Sequence, residues 1–304
     1  MERTTTTTTK AAARTTALNQ AQQQIRAEAI RKSAESMRSS NLLNDSFVSI
    51  ALEDTDACQH VLRTILDTDD LNVVSVKGQY RLLNLTAKDS VLDVFAQDSR
   101  GRLMNVEIQR KDTVDHAKRT RYYSSMIDKS SLDKGTDYED LPDVYIIYIS
   151  ETDLWNAGKT IYKVEKMLGS GKSAIPYDDG SHVIYVNAKV DDGSEVAKMM
   201  KYFKSADPDD MSQGALSKRV RYLKREEGGY KLMSAEAEKL YNLGVEEGIE
   251  KGIAQSEEIK AKEIAEAVTR MLRLGKLTIQ EIAECQGISE SEVRKIEAGM
   301  PQQA

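Results

Sequence analysis

The spacing of apolar residues changes several times along the chain, and each change predicts a structural element. Between residues 42 and 66 apolar positions recur at intervals of three and four, which favours one helix or two short ones. Three strand-like segments follow, at residues 80–85, 91–96 and 103–109. The polar link between the last two contains Gly101 and is short enough to close a hairpin.

The next patterns predict a helix over residues 114–132 and a buried strand over residues 144–149, which are apolar and largely β-branched. Another strand is predicted at residues 182–186, beyond a loop rich in Gly, Asp and Ser at residues 169–180. This order of elements predicts an α/β or α+β fold with a central sheet flanked by helices.

The two ends of the chain differ from this centre. The Thr- and Gln-rich N-terminus predicts a disordered or marginally helical tail, with a helix compatible with residues 19–38. From residue 196 onward the pattern is helical. The predicted domains are a tail (1–40), a central domain (41–205), a Glu- and Lys-rich helical extension (206–270) and a helix-turn-helix-like hairpin (271–304).

Composition narrows the class of protein. Two cysteines in 304 residues exclude a disulfide framework and a Cys-rich zinc site. No apolar run has the roughly 18 residues that a membrane span needs, and the N-terminus does not resemble a signal peptide, so we expect a cytoplasmic protein without a membrane partner. The net charge of −6 argues weakly against indiscriminate binding to nucleic acid.

The sharpest candidate for chemistry is Asp93 in the second strand with Glu107 and Gln109 in the third. Glu107 and Gln109 share a strand face, and a tight hairpin would bring Asp93 beside them. Two carboxylates at one point suit Mg²⁺, which also accepts a phosphate oxygen and can activate a water. Gln109 would orient that water or contact a phosphate.

A simpler interpretation also fits, in which these polar residues face solvent from an ordinary hairpin. Asp93 lies inside an otherwise apolar segment, and Glu107 lies between Val106 and Ile108, which favours a site. Because alternation on a solvated face produces the same pattern, the residues alone leave both interpretations open.

Several motifs in combination resemble the PD-(D/E)XK nuclease family transposases, also called recombination-promoting nucleases. The resemblance covers roughly residues 42–190. The core motifs are Val91-Leu92-Asp93-Val94, Asp98, Gly101-Arg102 and Asn105-Val106-Glu107-Ile108-Gln109, and the flanking ones are Asn44-Asp45-Ser46-Phe47, Arg119-Thr120-Arg121-Tyr122-Tyr123, Lys134-Gly135-Thr136-Asp137-Tyr138 and Leu141.

The resemblance implies a restriction-endonuclease-like fold, cleavage of DNA that depends on Mg²⁺ or Mn²⁺, and a link to mobile elements or recombination. It assigns the metal-binding acids to Asp93 and Glu107 and places Gln109 where the family usually has Lys. Gln is common in this branch of the family. A neutral amide can orient a water, but it supplies no positive charge to the transition state.

Additional ligands and DNA contacts are less sharply defined. Asp45 is the first candidate for a third metal ligand, ahead of Glu53, although either also fits a surface or capping residue. Basic residues that follow the site would hold a phosphate backbone, although a solvated helix face explains them equally well. They are Arg110, Lys111, Lys118, Arg119 and Arg121.

Two S/T-x-x-E capping boxes, at Thr278 and Ser289, mark helix starts near the C-terminus and resemble a helix-turn-helix. The second helix carries three glutamates, which phosphate would repel, so a hairpin for packing or homo-oligomerisation is at least as good an interpretation. The leading hypothesis is a Mg²⁺-dependent DNA endonuclease. The alternative is a catalytically inactive DNA-binding, regulatory or assembly protein that keeps the nuclease fold.

Overall fold

The computed structural model describes residues 3–82, 90–110, 114–132, 135 and 137–300. The chain divides into two compact units, residues 1–238 and 239–304. The helices are α1 (Arg3–Ser39), α2 (Asp45–Leu52), α3 (Thr55–Leu66), α4 (His116–Ser131), α5 (Glu195–Ser205), α6 (Gly214–Arg225), α7 (Glu227–Leu274), α8 (Ile279–Gln286) and α9 (Glu290–Ala298). The strands are β1 (Val73–Leu82), β2 (Ser90–Asp98), β3 (Leu103–Gln109), β4 (Val144–Ser150), β5 (Ile161–Lys163), β6 (Met167–Leu168), β7 (Ile175–Pro176) and β8 (Ser181–Asn187).

The first unit is organised around a mixed sheet with the strand order β1-β2-β3-β4-β8-β5. Strands β1, β2 and β3 pair antiparallel, whereas β3, β4 and β8 pair parallel, and β5 is an antiparallel edge. This arrangement confirms the predicted fold class, a mixed central sheet flanked by helices. The short strands β6 and β7 form a separate ribbon; β6 ends just before the loop predicted at residues 169–180, and β7 lies within that loop.

Both faces of the sheet are covered, which explains why its central strands are apolar on both sides. Helices α2 and α3 pack against β1 and β2 on one face. On the other face, Met126 and Ile127 of α4 join a buried cluster with Leu103, Val144 and Ile146.

The turn between β2 and β3 is built by Asp98, which is 2% exposed. One oxygen of Asp98 accepts hydrogen bonds from the main-chain N–H groups of Arg100 and Arg102, and the other forms an ion pair with the Arg102 side chain at 2.6 Å. Gly101 occupies the turn with φ 83°, a conformation that glycine adopts without strain. These motif residues therefore fix the hairpin that carries the candidate site.

Several predicted boundaries shift in the structure. The helical pattern over residues 42–66 forms two helices, α2 and α3, whose N-caps are Asn44 and Asp54. Strand β1 begins at Val73 and ends at Leu82, while residues 83–85 of the predicted strand lie outside the described residues.

The N-terminal segment, predicted to be disordered or marginally helical, contains α1, which begins at Arg3 and includes the helix predicted at residues 19–38. The end of α1 is tied to the unit by the buried side chains of Ala34 and Met37. In addition, the Arg38 side chain donates a hydrogen bond to the main-chain oxygen of Lys224 at 2.8 Å. These contacts offset the conformational entropy that the segment loses on becoming helical. The composition of the segment does not reveal them.

The second unit contains residues 239–274 of α7 together with α8 and α9. Both predicted capping boxes form, at Thr278 with Glu281 and at Ser289 with Glu292. Val268, Ile282 and Val293 are buried together as its core, with Ala283 beside them. Within the described part of the chain, no helix combines the length and apolar character that crossing a membrane requires.

Candidate active site

The candidate site lies where the sheet opens between β2 and β3. The two strands pair from Gln97↔Leu103 to Val94↔Val106. Beyond that point β2 stays paired with β1, and β3 stays paired with β4 as far as Gln109. Continuing the β2–β3 register by one step would place Asp93 opposite Glu107, so both carboxylates belong to this opening, which we call the fork.

At the fork, hydrogen bonds to two side-chain carboxylates take the place of the main-chain hydrogen bonds between β2 and β3. The Ile108 N–H donates to Oδ2 of Asp93 at 2.8 Å, and the Asp93 N–H donates to Oε1 of Glu107 at 3.3 Å. Each carboxylate is therefore attached to the backbone of the opposite strand, and the two predicted metal-binding acids are brought together.

Glu107 is 5% exposed and has two further polar neighbours. The amide of Asn105 donates to its Oε1 at 2.9 Å, and the Tyr123 hydroxyl also hydrogen-bonds the carboxylate. Burial raises the pKa of Glu107, and the nearby charge of Asp93 raises it further against these hydrogen bonds. The pKa of the Tyr123 hydroxyl is also raised, chiefly by burial and then by the charge of Glu107.

Asp93 has a raised pKa for the same leading reason. Burial disfavours its charged form, and the charge of Asp45 acts in the same direction. The hydrogen bond from the Ile108 N–H and the positive charge of Arg119 oppose this shift. The site thus holds two carboxylates whose ionisation is resisted by burial and by neighbouring negative charge.

This donor set fits a hard divalent cation. Mg²⁺ is commonly held by one or two carboxylates and keeps waters or phosphate oxygens in its remaining positions. A cation beside Asp93 and Glu107 would offset the repulsion that raises their pKa values. Asp93 and Glu107 are therefore the residues that would hold the ion.

The third predicted ligand, Asp45, is the first residue of α2. Its charge acts on Asp93, but among the described residues no group of three or more Asp, Glu, His or Cys side chains is arranged to hold one metal ion. Glu53 accepts a hydrogen bond from the Gly78 N–H at 3.1 Å. A role for Asp45 as a ligand stays a prediction.

Gln79 is a site residue that the sequence did not reveal. The β1–β2 register would place Gln79 opposite Asp93, but this pair is missing from the ladder, and Gln79 has φ 46°. Its amide donates to Ser49 Oγ at 3.0 Å and lies 3.5 Å from Oδ1 of Asp93. A left-handed conformation in a residue with a side chain is strained, and such strain clusters at functional sites. The signal available in the sequence was Gly78, since a glycine inside a strand marks an irregularity.

Asn105 and Tyr123 belonged to the motifs but were not identified as site residues. Asn105 is fully buried and, two positions before Glu107, shares its strand face. A polar residue on a covered strand face was the available signal. Tyr123 reaches Glu107 from α4, a contact between distant segments that strand periodicity does not encode.

Gln109, at the end of β3, is contacted by Arg119 of α4. The Arg119 guanidinium donates to Oε1 of Gln109 at 3.1 Å and also lies 3.8 Å from an oxygen of Asp115. Since arginine has no acceptor, this contact requires the amide oxygen of Gln109 to face Arg119 and leaves its NH₂ group pointing elsewhere. The positively charged side chain of Arg119 thus lies beside Gln109, at the position where the family usually has Lys.

The other predicted DNA-binding residues are distributed around the site. Arg110 follows Gln109 directly and forms an ion pair with Glu151 at 3.6 Å. Lys118 and Arg121 are exposed on α4, whereas Lys111 lies outside the described residues. Their contact with DNA stays a prediction.

A comparison with protein-family models finds a match to a family described as PD-(D/E)XK nuclease family transposase, over residues 52–243. This match contains the whole fork and begins after Asp45. No curated protein and no solved structure was found to match the chain. The matched region exceeds half of the 304 residues and includes the sheet and its two carboxylates. The chain therefore belongs to the PD-(D/E)XK nuclease family transposases.

Proposed function

We propose that the protein is a DNA endonuclease that hydrolyses phosphodiester bonds with Mg²⁺, or with Mn²⁺ in its place, during transposition or recombination in the cytoplasm. The observation that carries this proposal is the fork, where the half-buried Asp93 and the buried Glu107 lie side by side with raised pKa values. Membership of the nuclease family supports the reaction class, and the two carboxylates suit the cation.

Asp93 and Glu107 would hold the ion, each oriented by a main-chain N–H of the opposite strand. Asn105 fixes the Glu107 carboxylate further. When bound, Mg²⁺ supplies Lewis-acid stabilisation of the charge that develops on the phosphoryl oxygens. The protein's own contribution is to keep both ligands in place before DNA arrives.

Gln109 and Arg119 would share the role that a lysine has elsewhere in the family. The NH₂ group of Gln109 is available to orient the attacking water or a phosphate oxygen. The guanidinium of Arg119 supplies the positive charge that an amide lacks. Arg110, Lys111, Lys118 and Arg121 would bind neighbouring phosphates, which position the strand without reading its sequence.

The test is cleavage of plasmid and linear DNA by the purified full-length protein with Mg²⁺, compared with chelated metal. We expect Asp93→Ala and Glu107→Ala each to lower the rate by at least about 100-fold, the scale on which a group that stabilises the transition state acts. Glu139→Ala, which changes an exposed carboxylate, is the matched control.

Equal cutting by the wild type and both variants would refute the site assignment. The alternative function is favoured by the neutral side chain of Gln109, which supplies no positive charge to the transition state. Binding of DNA without cutting, in Mg²⁺ and in Mn²⁺, would establish the inactive DNA-binding or assembly protein instead.

We also propose that the C-terminal helices join copies of the chain into a homo-oligomer. Val245, Ile249 and Ile253 of α7 recur every four residues and are each about half exposed. Residues at this spacing share a helix face. Light scattering of the full-length protein should show a mass above one chain, and Ile249→Asp with Ile253→Asp should lower it.

A further inference from the structure

Trp155 is the one tryptophan of the sequence, and its place in the fold is unusual for an apolar side chain. It lies in the loop after β4 and is 45% exposed. The rings of His116, Tyr162 and Tyr185 surround it, at centroid distances of 5.2, 4.9 and 4.7 Å. None of these three rings is parallel to the indole, since the interplanar angles are 82°, 53° and 80°. The three rings thus contact the indole edge-on or at a tilt, and none of them stacks on its face.

The loop that carries Trp155 is fixed by a buried carboxylate. Asp153 is 9% exposed and accepts hydrogen bonds from the Tyr162 hydroxyl at 2.7 Å and from the Gly158 N–H at 2.9 Å. The N–H of Trp155 also donates to Asp153, at 3.4 Å. These hydrogen bonds fix the conformation of the loop, so the indole is already positioned when a ligand stacks on it. Less conformational entropy is therefore lost on binding.

Two routes connect Trp155 with the fork. In the sheet, Glu107 pairs with Tyr148, and Tyr148 pairs with Tyr185, which contacts Trp155. Two strand spacings place Tyr185 roughly 10 Å from Glu107, and the indole lies beside Tyr185, so a single DNA strand reaches from the fork to Trp155 in a few nucleotides.

The second route runs along α4. His116, which touches the indole, is its first residue, and Arg119 lies one turn further and contacts Gln109. Residues three apart on a helix are neighbours on its surface. The exposed indole therefore lies on the same side of the sheet as the candidate site.

We propose that Trp155 is a stacking platform for an unpaired nucleobase, within a few nucleotides of the phosphate at the proposed metal site of Asp93 and Glu107. This inference rests on the proposed function. A large exposed aromatic surface stacks on the π-face of any base, so it favours DNA whose bases are already unstacked and tolerates changes of sequence. Trp155 thereby selects DNA with a single-stranded stretch at the cutting position over a continuous duplex.

The test uses the full-length chain with Glu107→Gln, so that bound DNA stays intact in Mg²⁺. Anisotropy of a labelled oligonucleotide measures binding, and the emission of the one tryptophan reports contact with the indole. We expect single-stranded DNA to quench this emission more strongly than a blunt duplex does. An abasic sugar placed at the stacking position should restore it.

Adding Trp155→Ala should weaken binding of single-stranded DNA by about 5- to 100-fold, the range for losing one base–aromatic stack. Trp155→Tyr should recover most of the affinity. Tyr138→Ala is the matched control, because Tyr138 is 84% exposed and precedes the opposite end of β4. In the otherwise wild-type chain, Trp155→Ala should raise KM for single-stranded DNA and leave kcat nearly unchanged.

Bound DNA with unchanged tryptophan emission would overturn the inference while leaving the proposed function in place. Equal affinity of Trp155→Ala and its parent would do the same. If the wild-type chain neither binds nor cuts DNA, the proposed function fails and the stacking role fails with it. The quenching experiment needs no substitution at Trp155, so poor folding of the alanine variant cannot obscure the result.

Discussion

Glu107 combines burial, a neighbouring negative charge and three hydrogen bonds at a single carboxylate. A carboxyl in such surroundings is held for a purpose other than stability, because a neutral side chain would be easier to bury. The same holds for Asp93 beside it. Asp93 and Glu107 are therefore expected to reduce the stability of the metal-free protein.

The first prediction concerns pH. The folded-state pKa of Glu107 lies above its ordinary value of 4.5, so the native state binds more protons than the unfolded state over the interval between the two values. The stabilisation is complete below the ordinary pKa and is lost as pH rises through the raised one. The metal-free wild type should therefore be less stable at about pH 8.5 than at about pH 5.

Glu107→Gln should flatten this dependence and make the metal-free protein more stable than wild type at the higher pH, while abolishing cleavage. Denaturant titrations in the presence of a chelator, at both pH values, measure the effect. Glu139→Gln should behave like wild type, since Glu139 is exposed. An unchanged pH slope in Glu107→Gln would contradict the role of this burial.

The second prediction concerns Arg119, whose guanidinium lies beside Gln109. Arg119→Ala should lower the cleavage rate by about 100-fold, because the site then has neither a lysine nor a guanidinium at this position. Arg119→Lys should keep part of the activity. Introducing Gln109→Lys into Arg119→Ala should restore part of what was lost.

Lys118→Ala is the matched comparison, because it removes an exposed positive charge from the same helix and, as a proposed phosphate contact, should weaken DNA binding without lowering the single-turnover rate at saturation. Single-turnover cleavage assays separate this effect from weaker DNA binding. Wild-type rates in Arg119→Ala would show that the guanidinium serves only to orient Gln109 or to pair with Asp115.

At the scale of elements, sequence patterns located β3 at its observed bounds and placed β4, β8 and α4 within two residues. These elements have strong periodicity or continuous apolar character. Strand β1 begins earlier than the sequence predicts, because its first five residues are largely exposed and Gly78 follows them. Strand β5 was missed, since three residues are too few for a period to show.

The candidate site shows the same division. Asp93 and Glu107 could be paired from the hairpin because strand alternation and a short turn imply their proximity. Gln79, Tyr123 and Arg119 reach the fork through a strained backbone or from α4. Such contacts depend on how elements pack, which the local pattern of one chain does not contain.

The third prediction belongs to the contact between α2 and β1. A Cβ added to Gly78 would lie 3.0 Å from Glu53 Oε1, from Ser49 Cβ and from the Ser49 main-chain oxygen. Gly78→Ala should therefore cost about 1–3 kcal/mol of unfolding free energy. Thermal unfolding should show a Tm lower by about 2–4 °C for each kcal/mol.

Gly244→Ala is the contrasting variant, because a Cβ there meets nothing within 4 Å and Gly244 lies inside α7. We expect it to leave Tm unchanged or to raise it, since alanine favours helix over glycine. A Tm for Gly78→Ala equal to that of wild type would show that α2 can move away from β1 without cost.

At the scale of the whole molecule, the net charge of −6 is an average over segments with different charges. Basic side chains concentrate after β3 and on α4, while the acidic fork lies beside them. Because few Lys and Arg side chains are available to bind phosphates, the affinity for DNA should also depend on the metal ion.

The fourth prediction follows from this distribution. With five candidate basic contacts, the plot of log affinity against log salt should have a slope no steeper than about −5. Chelating the metal should weaken binding at every salt concentration. Fluorescence anisotropy across a salt series, with and without Mg²⁺, measures both effects. A much steeper slope would indicate a DNA-binding surface larger than the one assigned.

The fork has a further consequence for the choice of metal. Asp93 lies on β2, against which α2 packs, and Glu107 lies on β3, which pairs with β4. In the proposed site, the spacing of the two ligands would therefore depend on the packing of α2 as well as on the hydrogen bonds between the two strands. Metal–oxygen distances differ by only about 0.2 to 0.6 Å between Mg²⁺ and Ca²⁺. Shifts of that size follow from repacking a core. If the fork binds the ion as proposed, the apolar contacts of α2 would influence which ionic radius it prefers, and these contacts can change in evolution while both ligands stay the same.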